Sequence, residues 1–222
     1  MRCVLLCLLA IVALPRLVDA GPWAREPGRI FTSVTSSYRY DPQRLQIDSE
    51  GGFYMEYGLR SRLTLGVDTM DSSGGYSHLY AFARWPLVAQ DRPFKMAFTL
   101  GAGASRSQGQ WGPMISLGFS VGRGVNLWRP GWWTVTTKLE DHQVLPNPVM
   151  KLDATFGLNL GPRLKSFLEV ETSHRRGTDP SIGVRVSLAW KMRNAQHLII
   201  GLENKHAGTR SYGVRAGIWR SF

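Results

Sequence analysis

Cysteine is nearly absent from this 222-residue chain, and the two that occur, Cys3 and Cys7, both lie close to its start. Residues 1–20 have the pattern of a cleaved signal peptide, because Arg2 precedes an apolar run that ends in small residues. The mature chain, residues 21–222, then contains no cysteine. We therefore expect neither disulfide bonds nor thiolate metal sites in it.

Long apolar runs are also lacking. After residue 20 no run of about 18 apolar residues occurs, which excludes a membrane-spanning helix. An antiparallel β-barrel is still allowed, because its strands are recognised by alternation and not by mean hydropathy.

Acidic residues are the minority. The chain has 27 Lys and Arg against 16 Asp and Glu, and removal of Arg2, Arg16 and Asp19 with the signal peptide leaves a net charge of +10. In an exported protein this charge favours outer-membrane lipids and lipopolysaccharide phosphates as partners, and not nucleic acid.

Motifs for cofactors are missing as well. Neither G-x-G-x-x-G nor G-K-[ST] occurs, so nucleotide binding has no support. The histidines His78, His142 and His197 are scattered without the spacing of metal ligands. We predict no cofactor and no metal site.

What the chain does contain is a repeated alternation of apolar and polar residues. Each segment has roughly the 9 to 11 residues with which a tilted strand crosses a bilayer. The pattern predicts an all-β fold, a transmembrane antiparallel up-and-down β-barrel of about 12 strands occupying residues 21–222. The predicted strands cover residues 29–40, 51–59, 62–70, 76–87, 93–104, 112–123, 132–141, 149–160, 163–174, 181–192, 197–205 and 209–222.

The last segment carries the most specific signal. Tyr212 and Ile218 lie on its apolar face and Gly217 on the other, and the chain ends in Phe222. This ending resembles the C-terminal signal by which the barrel-assembly machinery recognises bacterial outer-membrane barrels. Arg220 departs from the pattern, since it lies on the otherwise apolar face and would have to reach the headgroups.

The resemblance extends over the mature chain. The stretches GPWAREPGRIFTSVTSSY (residues 21–38), FYMEYGLRSRLTLGVD (residues 53–68) and YGVRAGIWRSF (residues 212–222) are similar to a group of small outer-membrane barrels of alphaproteobacteria. The group has no established activity, so the resemblance implies only the fold and a location in the outer membrane of a Gram-negative bacterium.

The connections predict the orientation. An even number of strands with both termini in the periplasm gives periplasmic links such as residues 60–61 and 161–162, which have two residues each. The outward link at residues 41–50 is then the longest, as outer-membrane barrels prefer. The periplasmic link at residues 124–131 is longer than this rule expects. Residues 21–28 are predicted to be a periplasmic lead-in to the first strand.

The polar face is rich in charge, and alternation predicts which side chains line the lumen. Ion pairs across neighbouring strands would compensate them and close the interior, whereas unpaired cations would leave a narrow anion-preferring pore. Predicted strands 4, 5 and 7 add Arg84, Lys95 and Lys138 to the lumen with Glu140 as their nearest acid, which favours mild anion preference. The predicted lumen charges are His78, Arg84, Lys95, Lys138, Lys151, Asp153, Lys165, Glu169, Glu171, Arg185, Glu203 and Arg215, with Glu56, Glu140 and Lys191 as further members.

Two alternatives involve the outer rim. Arg175, Arg176, Lys205 and Arg210 form a predicted basic rim that could hold lipopolysaccharide phosphates. A lipid-modifying hydrolase would instead use His174, Asn204 and His206, which share the outward register on strands 9 and 11. No serine lies between them in that register. The order of preference is therefore a narrow passive pore, then a closed structural or lipopolysaccharide-binding barrel, then the hydrolase.

Overall fold

The computed structural model describes residues 21–193 and 195–222, so the predicted signal peptide lies outside the described residues. The described chain forms one closed sheet in which each strand pairs antiparallel with its neighbours in chain order. The predicted twelve-strand up-and-down barrel is confirmed. The strands are β1 (Ile30–Asp41), β2 (Gln46–Arg60), β3 (Leu63–Ser72), β4 (Tyr76–Pro86), β5 (Phe94–Ser107), β6 (Gln110–Asn126), β7 (Pro130–His142), β8 (Val149–Asn159), β9 (Leu164–Arg175), β10 (Ser181–Lys191), β11 (Gln196–Ala207) and β12 (Thr209–Ser221).

The barrel closes between its first and last strands. β1 and β12 pair from Phe31 opposite Ser221 to Tyr40 opposite Tyr212. Closure leaves no unpaired sheet edge, which is the condition for a β-structure to lie in hydrocarbon. In the described part of the chain, no helix has the length and apolar character to cross a membrane.

Alternation sorts the side chains into two surfaces. On β10, Val184, Val186 and Leu188 point outward and are exposed, whereas Arg185 and Ser187 point inward and are buried. The same division on the other strands produces an outer belt of large apolar side chains. Such a continuous surface would be unfavourable in water and is solvated by lipid chains.

The connections differ from the prediction. We call the end of the barrel where β1 begins the N-terminal end and the opposite one the far end. The links at the far end contain at most six residues, and the longest link of all, residues 87–93, lies at the N-terminal end. The predicted length asymmetry is therefore wrong. Gln46 to Glu50 continue β2, because they pair with β1 from Asp41 opposite Gln46 to Ser37 opposite Glu50. The predicted link at residues 124–131 shrinks to 127–129.

The leader, residues 21–28, is not a lead-in outside the barrel. Pro22 is fully buried and Trp23 is 7% exposed, although neither belongs to a strand. Trp23 packs inside the barrel against side chains of five strands, β7, β9, β10, β11 and β12. The predicted periplasmic lead-in is thus replaced by a segment that enters the lumen.

Candidate functional site: the barrel lumen

The lumen holds two cavities that meet near its middle. The lower cavity has a volume of about 400 Å³ and is bounded toward the N-terminal end by Gly21, Arg25 and Trp219. The upper cavity has a volume of about 480 Å³ and reaches the far-end links at Leu145 and Asp179. Five residues line both cavities and mark the level at which they meet. These are Glu50, Met70, Lys138, Asp153 and Glu171.

Apolar side chains fill the lumen at the N-terminal end. Trp23 of the leader forms a buried cluster there, and the ring of Phe167 stacks on that of Trp219 with 5.0 Å between their centroids. The cluster joins strands that lie far apart around the wall. Its other members are Trp132 on β7, Ala189 on β10 and Ile199 on β11.

A buried charged group lies on the other side of the lumen, across from the apolar cluster. The Glu56 carboxylate, 2% exposed, accepts a bond from Arg25 Nε of the leader at 2.5 Å and is also bonded by Arg84 and by the Tyr54 hydroxyl. Arg84 Nη2 donates to the Tyr54 hydroxyl at 3.0 Å, and Arg84 Nη1 donates to the Gly21 carbonyl at 3.0 Å. One carboxylate therefore serves two arginines, one from the wall and one from the leader.

Two wall glycines lack the side chains that would collide with the leader. A Cβ atom on Gly58 would lie 2.1 Å from the Glu26 carbonyl oxygen and 2.8 Å from that of Arg25. A Cβ atom on Gly122 would lie 3.0 Å from Pro22 Cγ. The wall is thus shaped to the leader at both places.

A larger ion network lies toward the far end, on β9 to β12, β1 and β2. Arg185 lies at its centre, with Glu171 and Glu203 at 2.9 Å and Glu169 at 3.2 Å. Arg39 contacts both Glu203 and Glu50, each at 2.9 Å, and so links these two acids. The network also contains Glu50, Arg215 and Lys205, so that four acids face four bases.

An aromatic wall faces this network. Rings on β1, β2, β4 and β7 contact each other in sequence along the lumen, with neighbouring centroids 5.4 to 6.4 Å apart. Such spacing is typical of favourable ring contacts. From the N-terminal end to the far end the rings belong to Phe31, Tyr54, Phe82, Tyr80, His78, Tyr76 and His142.

A chain of polar contacts beside this wall has the residue types of a hydrolase triad. His142 Nδ1 lies 3.0 Å from Ser105 Oγ, and His142 Nε2 lies 3.3 Å from the Glu140 carboxylate, which also binds Lys151 Nζ at 2.8 Å. Ser105 is 0% exposed and lines neither cavity. A nucleophile must reach its substrate, so this chain satisfies buried polar groups instead.

The predicted lumen charges separate into three groups. Nine of the twelve line the cavities: His78, Arg84, Lys138, Lys151, Asp153, Glu169, Glu171, Arg185 and Arg215. Glu203 is buried in the ion network beside them. Lys95 and Lys165 lie at the N-terminal rim, where Lys95 Nζ donates to the carbonyls of Gln90 and Arg92, and Lys165 Nζ lies 5.4 Å from the Trp132 ring centre.

The predicted basic rim is divided between two surfaces. Arg175 and Lys205 point inward and line the upper cavity, where Lys205 Nζ lies 3.9 Å from Glu50. Arg176 belongs to a link, and Arg210 shares the outward register of Tyr212 on β12. Lipopolysaccharide binding by this rim stays a prediction.

The residues predicted for a hydrolase stay apart. His174 points outward on β9, while Asn204 and His206 point outward on β11, with β10 between them. The facing serines, Ser173 and Ser181, point into the barrel.

The predicted assembly signal forms the closing strand. Tyr212 and Ile218 are exposed on the outer surface, and Gly217 faces inward against Val34 and Thr35 of β1. Phe222 donates its backbone N–H to Ile30 at 2.9 Å, while the Arg220 guanidinium lies 4.2 Å above the Phe222 ring. Its recognition by the assembly machinery stays a prediction.

Sequence analysis missed several lumen residues. Asp68 follows the outward-facing Val67, so its inward position could have been predicted. Arg39 lies on the first predicted segment, residues 29–40, where few apolar side chains define the outer face, and Glu50 lies in a predicted link. Arg25 had no signal at all, because nothing in a short leader rich in Pro and Gly indicates that it enters a barrel.

No family model and no curated protein sequence matches this chain. Solved structures do match. The NanC porin superposes with a TM-score of 0.64 at 8% identity, covering 84% of this chain and 98% of that one. The KdgM porin gives 0.61 at 10% identity, with coverage of 86% and 99%. An outer-membrane channel from Pseudomonas putida F1 gives 0.56 at 14% identity, with coverage of 93% and 100%. At these identities the likeness shows the fold, which is that of outer-membrane barrels.

Proposed function

We propose that the protein is a narrow, porin-like passive pore in the outer membrane of a Gram-negative bacterium. The observation that carries the proposal is the polar lumen, in which cavities of about 400 and 480 Å³ meet at Lys138 and Asp153. A barrel of about eight strands fills its own interior and one of 16 to 18 leaves a wide channel. Twelve strands with two adjoining cavities fit a passage for small solutes.

The chemistry of the walls suggests the solutes. One wall carries aromatic rings and the other carries alternating charges, so the passage suits molecules with both an apolar face and ionic or hydroxyl groups. We propose small acidic sugars as the first class to test. The KdgM porin, which has also been solved in complex with disordered oligogalacturonate, supports this choice.

Selectivity between ions is the finer part of the proposal. Of the three cations behind the predicted anion preference, Arg84 is bonded to Glu56 and Lys95 lies at the rim, which leaves Lys138. Asp153 lines the same two cavities, and among the described residues neither Lys138 nor Asp153 has an ion pair within 4.0 Å. We propose a weak preference in which Lys138 favours anions and Asp153 opposes it.

The second candidate is a closed structural or lipid-binding barrel. The leader favours it, because Trp23 and Arg25 fill the lumen at the N-terminal end. The lipid-modifying hydrolase stays third, since the outward histidines lack a serine and Ser105 is buried.

Recording in planar bilayers tests the pore. We expect discrete conductance steps, with a step size that falls when Gly118→Trp adds a large side chain to the lower cavity. Gly118 suits this purpose because its Cβ would make ordinary contacts, no closer than 3.4 Å. Gly183→Ala, also on the inner wall and with nothing nearer than 3.9 Å, is the matched control. If Gly118→Trp left the step size unchanged, ions would not pass through the lumen. If folded protein gave no conductance steps, the closed barrel would be favoured.

A further inference from the structure

We propose that the leader, residues 21–28, is a movable plug that gates the lumen at its N-terminal end. This inference rests on the proposed pore function and names how that pore is controlled. It follows from the path of the leader, from its means of attachment and from the charge balance left when it departs.

The leader crosses the whole bore. It joins β1, where Arg25 contacts Glu56 of β2 and lies 4.5 Å from the Phe31 ring centre. Its other end reaches β6 and β7, where Gly21 adjoins Thr134 and Pro22 adjoins Gly122. In a barrel of twelve strands, β1 and β7 are half a turn apart. A segment that joins them lies across the passage.

Its attachment differs from that of the wall. The leader belongs to no strand, and four of its hydrogen bonds to the wall join it to separate partners. Arg25 N–H donates to Thr64 Oγ1 at 3.2 Å, Gly28 N–H donates to the Gly58 carbonyl at 2.8 Å, and the Gly21 carbonyl accepts from Arg84. The fourth is the Arg25 bond to Glu56. These bonds can break without loss of any β-ladder.

The wall keeps its charge balance without the leader. When Arg25 departs, Glu56 still accepts bonds from Arg84 and Tyr54, so no buried carboxylate is left alone. The contact of Arg25 with Glu56 therefore serves to hold the leader in place. If the leader only stabilised the wall, we would expect Glu56 to lose its hydrogen-bond partners when the leader departs.

Gly58 provides a test that changes neither the leader nor any charge. The three atoms closest to its missing Cβ all belong to Arg25 and Glu26, so Gly58→Ala acts on the docked leader. Overpacking of this kind should shift the docking equilibrium by about tenfold or more. Gly183→Ala is again the control, because its Cβ would make only ordinary contacts, with no atom nearer than 3.9 Å.

The experiment combines two readouts on the full chain. In planar bilayers, we expect wild-type protein to be closed most of the time and Gly58→Ala to raise the open fraction by about tenfold. Separately, Pro22→Cys places a thiol at a fully buried position of the leader. Its labelling by a soluble maleimide should be slow and should accelerate by a similar factor in the Gly58→Ala background.

The outcomes separate the two proposals. Equal open fractions and equal labelling rates in wild type, Gly58→Ala and Gly183→Ala would overturn the plug while leaving the pore intact. Faster labelling with no conductance in any variant would overturn the pore, and the gating role with it. Acceleration of both readouts by Gly58→Ala alone supports the plug.

Discussion

The two ends of the lumen balance buried charge in opposite ways. At the N-terminal end a single acid, Glu56, is bonded by Arg25 and Arg84 among packed rings. Toward the far end four acids and four bases share contacts around Arg185, beside open cavity. In the first arrangement every charge depends on one carboxylate. In the second, loss of Glu171 still leaves Arg185 in contact with Glu169 and Glu203.

The largest effect should come from Glu56→Ala, which leaves two buried guanidinium groups without an acid. Removal of one partner from a buried pair costs about 3–5 kcal/mol. We expect the free energy of unfolding, measured by urea titration in lipid vesicles, to fall by that amount.

The matched change at the far end is Glu171→Gln. Glu171 is 51% exposed, and its partner Arg185 keeps Glu169 and Glu203. The expected loss of unfolding free energy is about 1 kcal/mol or less. Equal losses in the two variants would contradict the difference between the ends.

A smaller effect is expected where the two cavities meet. Lys138→Gln should shift the reversal potential toward cations, and Asp153→Asn should shift it toward anions. One charge at about 4 Å in water is worth roughly 1 kcal/mol, which is a change in permeability ratio of about fivefold. The shifts should shrink in 1 M salt, where the Debye length is about 3 Å. Two shifts of the same sign would show that these side chains do not act on a common ion path.

The smallest effect concerns Ser105, for which we expect no reaction. A fluorophosphonate that labels activated serines should leave folded protein unmodified, because Ser105 is 0% exposed behind His142. Labelling that disappears in Ser105→Ala would reveal an accessible nucleophile and restore the hydrolase to consideration.

The wall could be predicted from the sequence because a strand with one side in lipid must alternate. Val184, Val186 and Leu188 show this clearly, and the same parity places Arg185 inside. Alternation gives no signal where both sides of a strand are polar, so the sequence predicts a link at Gln46 and Glu50, where the structure extends β2.

The interior arrangement was less predictable than the wall. Glu56 lies on β2 and Arg84 on β4, so their contact joins strands that are not neighbours and reaches across β3. Pairing rules between adjacent strands do not include such a contact. The position of Trp23 depends on pockets that only the closed barrel creates.

That dependence sets an order of events during assembly. Phe31 and Ser221 are paired although they are 190 residues apart in the chain, so the β1–β12 ladder is the most non-local pairing in the sheet. Contacts between distant residues form late, since the entropy of the intervening loop opposes them. The seat of Trp23 uses side chains from β7, β9, β10, β11 and β12, so it is complete only once those strands are in place. Docking of the leader would then follow the assembly of these strands, and burial of Trp23 would report that they are in place.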